Sequence, residues 1–144
     1  TATPVPPPVS PVNTPTPAST PVPNSPPGKY RPYSVKDKAN CAWIGVNGKV
    51  RDGDNHDSPP LAGVTVMVTG DEDGFRGPYY STTDSDGNYG LVIDEFGKVP
   101  EQVEFVAEIF GANVKSDNRP RWSVLNDCHS DNANQVMEIK WEKD

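Results

Sequence analysis

Between Leu61 and Ile93 the apolar residues fall at every second position. Val64, Val66 and Val68 alternate with Thr65, Met67 and Thr69, which predicts a strand with one apolar face. Gly70 to Gly77 is acidic and glycine-rich and reads as a loop, and Tyr79 to Thr83 is β-prone again. Asp84-Ser85-Asp86-Gly87-Asn88 predicts a tight turn, because Asp and Asn side chains bond their own backbone and glycine accepts a positive φ. Tyr89, Leu91 and Ile93 then alternate as the next strand. The same period recurs on both sides of this unit. In Cys41 to Val50, the residues Ile44, Val46 and Val50 share one face, with Trp43, Gly45, Asn47 and Lys49 on the other. Further on, Val103, Phe105, Ala107 and Ile109 form one stripe, Trp122 and Val124 mark a short strand over 121–125, and Met137, Ile139 and Trp141 form the last. These are seven strands and no helix. Short strands at this spacing, separated by polar loops at 51–60, 97–102, 111–120 and 126–134, predict an all-β antiparallel sandwich.

Composition divides the chain. Residues 1–28 hold eleven prolines and no charged or aromatic residue, whereas every charged residue lies from Lys29 onward. Proline fixes φ and lacks an N–H, so this arm is expected to be polyproline II. Its Pro, Thr and Ser content is that of an O-glycosylated stalk, with Thr3, Thr14, Thr16, Ser19, Thr20 and Ser25 as acceptors. Residues 29–40 read as a charged connector and 41–144 as the sandwich domain. The net charge of −7 argues against nucleic acid, which needs a basic face, and no apolar run is long enough to span a bilayer. Cys41 and Cys128 lie near the two ends of the domain. A disulfide between them would close a loop of roughly 90 residues and stabilise by about 4–5 kcal/mol, in keeping with an extracellular chain.

Pro60-Leu61-Ala62-Gly63-Val64-Thr65-Val66, followed by Thr83-Asp84-Ser85-Asp86-Gly87-Asn88-Tyr89, resembles the carboxypeptidase regulatory-like family and the wider set of prealbumin-like and Cna-B-type sandwiches. The resemblance covers roughly residues 44–110. It implies a prealbumin-like, Ig-like fold and a non-enzymatic appendage or surface module. Cna-B-type relatives carry an internal Lys–Asn isopeptide bond. Here that would need Lys49, Asn132 or Asn134, and Glu104 or Glu108, but the alternation turns Lys49 and both glutamates outward.

The candidate chemistry is sparse. Calcium takes six to eight hard oxygens. Asp84, Asp86 and Asn88 in the tight turn, and Asp52, Asp54 and Asp57 in the acidic loop, are the candidate ligands; a plain turn is the competing reading of the first set. His56 and His129 match no zinc spacing with the cysteines, and no nucleophile motif is present, so no enzyme and no resident cofactor is expected. Tyr30, Tyr33, Tyr79, Tyr80 and Trp122 are candidate subunit contacts. The expected function is an extracellular structural module, a glycosylated cell-surface or filament subunit that self-associates through its Pro-rich arm. The alternative is a calcium- or glycan-binding appendage of a larger secreted enzyme or adhesin.

Overall fold

A computed structural model describes residues 25–38, 42–95, 101–127 and 135–144. The cysteines Cys41 and Cys128, His129 and most of the arm lie outside the described residues, as do the expected acceptors Thr3, Thr14, Thr16, Ser19 and Thr20. Among the described residues nine strands are present: β1 (Gly28–Lys38), β2 (Trp43–Asp52), β3 (Thr65–Gly70), β4 (Tyr79–Thr82), β5 (Asn88–Glu95), β6 (Gln102–Phe110), β7 (Val114–Ser116), β8 (Arg121–Leu125) and β9 (Val136–Lys143). There is no helix among the described residues, and so none long and apolar enough to cross a membrane.

All seven predicted strands form, and two are added. β7 lies inside the expected loop at 111–120. β1 replaces the expected connector at 29–40, so the sandwich begins well before residue 41. The strand was hidden because β1 is exposed along most of its length and only Tyr30 of its residues is buried. Pro32 also interrupts its pattern. Proline is tolerated in sheets at edges and irregularities, and here it sits where the pairing register shifts, between Pro32 and Ser34.

The strands form two sheets, ordered β5-β2-β9-β1-β7 and β4-β3-β6-β8. The second is antiparallel throughout. The first corrects the antiparallel expectation: β1 and β9 are antiparallel, but β2 runs parallel to β9 and β1 parallel to β7. Between the sheets lies one core. Tyr30, Ile44, Val46, Val50, Ile139 and Trp141 from the first meet Val66, Val68, Val103, Phe105 and Ala107 from the second. Phe105 touches both Phe75, edge to face at 6.5 Å, and Trp122, at 5.8 Å.

The start of the described chain is stapled to this core. The Ser25 hydroxyl donates to the Phe110 carbonyl at 2.6 Å and accepts from the Thr65 amide at 2.9 Å. It thus bridges the last residue pair of β3 and β6. Tyr30 Oη donates back to the Pro26 carbonyl at 2.7 Å, and the Gly28 amide donates to Asn113 O at 3.1 Å. Ser25 is only 5% exposed. Its hydroxyl therefore serves as a structural bridge, not as the glycan acceptor expected from composition. Ser25→Ala strands the buried Thr65 amide and should destabilise the protein by about 1–3 kcal/mol, read as a lower urea midpoint with an unchanged slope.

Candidate functional site

The outer face of the five-stranded sheet carries a dense set of polar and charged side chains. Its upper part is an ion cluster built by cross-strand register. Arg31 of β1 and Arg51 of β2 both stand opposite Glu142 of β9. Arg31 Nε donates to one carboxylate oxygen at 2.6 Å and Arg51 Nη2 to the other at 2.8 Å. Tyr33 lies under the Arg51 guanidinium, 3.7 Å from ring centroid to carbon, a cation–π stack. Glu142 is 6% exposed. Burial alone pushes its carboxyl up, but the hydrogen bonds and charges of Arg51 and Arg31 outweigh this and hold it below the ordinary value of 4.5. A carboxyl depressed in the folded state contributes stability that is present above its unfolded value and is lost as pH falls through the folded one. Wild-type melting temperature should therefore fall on acidification below about pH 4.5. Glu142→Gln should flatten part of that acid limb, measured by thermal unfolding across the range.

Next to the cluster, the 53–60 loop and the Asp84–Asn88 turn are drawn together at the end of β2. The Val50 amide donates to Gly87 O at 2.8 Å and the Leu61 amide to Val50 O at 2.9 Å. Between them a cleft of about 240 Å³ is lined by Tyr33, Arg51, His56, Ser58, Pro60 and Asp86, with Lys49 on its rim. Lys49 also borders a second depression of about 300 Å³, walled by Asn47, Asn88, Glu138 and Lys140. The Lys49 ammonium and the Asn47 and Asn88 amides have no hydrogen-bond or ion-pair partner among the described residues. Lys140 and Glu138 are 3.8 Å apart, and Glu138 is 3.9 Å from Lys38.

The acidic residues singled out for calcium are placed differently from a metal cage. Asp84 Oδ1 accepts from the Asp86 and Asn88 amides at 2.9 and 3.0 Å, and Gly87 has φ of 74°. This is the plain-turn reading. Asp52 lies 3.9 Å from Lys143 Nζ, and Asp57 lies 3.2 Å from His56 Nε2. Among the described residues no three His, Cys, Asp or Glu side chains converge as a metal site.

The aromatic contact candidates divide. Tyr30 and Trp122 are core residues and present no surface to a second subunit. Tyr79 is half-buried against the core, Tyr80 packs on Phe110 at 5.2 Å, and Tyr33 remains exposed at 38%. The Arg31–Glu142–Arg51 cluster and the groove at Lys49 were not anticipated. The outward positions of Asn47 and Lys49 were legible from alternation, but their neighbours depend on which strands flank β2.

The described residues form a two-sheet all-β module with polar clefts on the outer faces of both sheets. Comparison with known proteins finds no family model, no curated protein and no solved structure that matches the chain.

Proposed function

We propose that the chain is an extracellular structural module of the prealbumin-like, carboxypeptidase regulatory-like kind, a subunit that associates through its Pro-rich N-terminal arm. The observation that carries this reading is the fixed root of the arm. Ser25, Gly28 and Tyr30 tie residues 25–30 to both sheets, so residues 1–24, with nine prolines and no charge, join the module at a defined point. A receiver is available on the same fold. β7 covers only Gly28–Tyr30 of β1, which leaves Arg31–Lys38 paired on one side alone among the described strands. Tyr33 and Val35 are exposed along that edge, at 38% and 48%. An unpaired edge is a template for another chain unless it is covered or blunted. An arm from the next copy lying there gives a head-to-tail contact that need not close.

Light scattering on the full chain and on a chain beginning at Ser25 tests this. The full chain should form large species and the shortened one should be a monomer; equal sizes would sink the proposal. Sugar on the arm would appear as hexose-sized mass increments confined to peptides from residues 1–24. The Cys41–Cys128 disulfide belongs to the same proposal. Two residues near these cysteines in sequence are bridged by Gln135, whose carbonyl accepts from the Gly45 amide at 2.9 Å and whose Nε2 donates to Asp127 O at 2.9 Å. Titration of the unreduced, denatured chain should find no free thiol.

A further inference from the structure

We propose that the outer face of the five-stranded sheet carries a groove for an anionic saccharide, in which Lys49 takes the carboxylate or sulfate and the Asn47 and Asn88 amides take ring hydroxyls. The groove is independent of the arm. It begins with three polar groups that the described protein leaves unused. Lys49 and Asn88 are directly opposed across β2 and β5, and Asn47 stands opposite Gly90 on the same pair of strands. Period-two alternation therefore puts all three on one face. Gly90 leaves that face open, since a Cβ there would meet nothing. Across β2 the far wall is Glu138 and Lys140 of β9. The register of β2 with β9 is the same at Asn47↔Glu138 and at Val50↔Trp141, and Gly48 and Lys49 between them line the depression.

Size and lining select the ligand. A space of about 300 Å³ sits at the lower end of small-molecule sites, and its walls are amides and charges with no large apolar surface apart from Tyr89. That suits a hydroxyl-rich ring and disfavours an apolar cofactor. The adjoining cleft at Tyr33 and Ser58 shares Lys49 and extends the groove for a second ring, with the lysine between the two. Glu138 and Asp86 also line the walls. Glu138 has Lys140 and Lys38 within 4 Å, which leaves Lys49 as the groove's cation without a partner among the described residues. The whole chain carries −7, so general attraction for a polyanion is absent, and any binding must come from local contacts.

Calorimetry on the full chain at low salt tests this with four probes: a galacturonate trimer, a sulfated heparin tetrasaccharide, neutral maltotriose and inorganic sulfate. An anionic saccharide should bind and weaken as salt rises; which of the two binds distinguishes carboxylate from sulfate. Lys49→Ala should weaken binding about tenfold, as loss of one charge-assisted hydrogen bond does, and Lys49→Arg should restore most of it. Asn47→Ala with Asn88→Ala should weaken it further. Arg121→Ala, which removes a cation from the opposite sheet where it pairs with Glu104 at 2.7 Å, should change nothing. These side chains are solvent-facing, so the variants should fold, which circular dichroism checks. The proposal is overturned if neither anionic saccharide binds, if maltotriose or bare sulfate binds as well as they do, or if Lys49→Ala is without effect.

Discussion

A chain beginning at Ala42 should fail to fold, whereas one beginning at Ser25 should melt like the full chain. The two differ mainly by β1 and the staple that precedes it. Removing β1 deletes Tyr30, which is fully buried. Loss of a large buried aromatic alone costs about 3–5 kcal/mol. It also unpairs β9 along eight residue pairs, from Tyr30↔Lys143 to Lys38↔Val136, and turns the central strand of the first sheet into a bare edge. Glu142 keeps Arg51 but loses Arg31, and the inner face of Trp141 loses its neighbour across the sheet, Pro32. A domain of this size has about 5–15 kcal/mol in total, so these losses together exceed what it can spare. Circular dichroism and urea unfolding of the two truncated chains would decide. A cooperative transition in the shorter one would mean that β1 is an accessory and that the boundary at residue 41, drawn from composition, is the right one.

That boundary shows where the residues speak and where they do not. Strands buried on one face announce themselves. Val64, Val66 and Val68, or Val103, Phe105, Ala107 and Ile109, alternate in sequence and are the buried set in the structure. The Asp84–Asn88 turn is legible because its bonds are local: Asp84 serves amides two and four residues on. β1 is not legible, because its stability comes from pairing with β9 near the other end of the sequence, and its own side chains are mostly outside. The parallel pairing of β2 with β9 is illegible for the same reason. Alternation says which way Asn47 and Lys49 point, but their groove neighbours Asn88 and Lys140 come from strands that flank β2 only through the sheet order. Burial of Ser25 reverses a compositional reading in the same way. A Ser-Pro dipeptide looks like stalk until the ends of β3 and β6 are seen to close on its hydroxyl.

Gly48→Ala should be among the most destabilising single methyls that can be added to β2. The conformation is not the reason, for Gly48 lies in an ordinary strand. The reason is a close approach of two backbones. A Cβ at residue 48 would overlap the Ile139 carbonyl oxygen and come within 3.1 Å of Tyr89 Cε1. The Ile139 carbonyl is the acceptor for Tyr89 Oη at 2.7 Å, and that hydroxyl in turn accepts from Trp141 Nε1 at 3.3 Å. One glycine thus permits a buried network that links β5, β2 and β9. The cost of a methyl there has two parts. Moving the backbones apart strains the central strands by about 1–3 kcal/mol, as overpacking does. Losing the tyrosine bond leaves a buried carbonyl and a buried indole N–H unsatisfied, about 1–3 kcal/mol more. Tyr89→Phe isolates the second part, since it removes the hydroxyl and adds no atom. Urea unfolding should rank wild type above Tyr89→Phe and that above Gly48→Ala. In the double variant the hydroxyl is already gone, so the glycine change should cost less than it does alone. If the two costs simply add, the methyl acts by strain alone, and the tyrosine bond survives it.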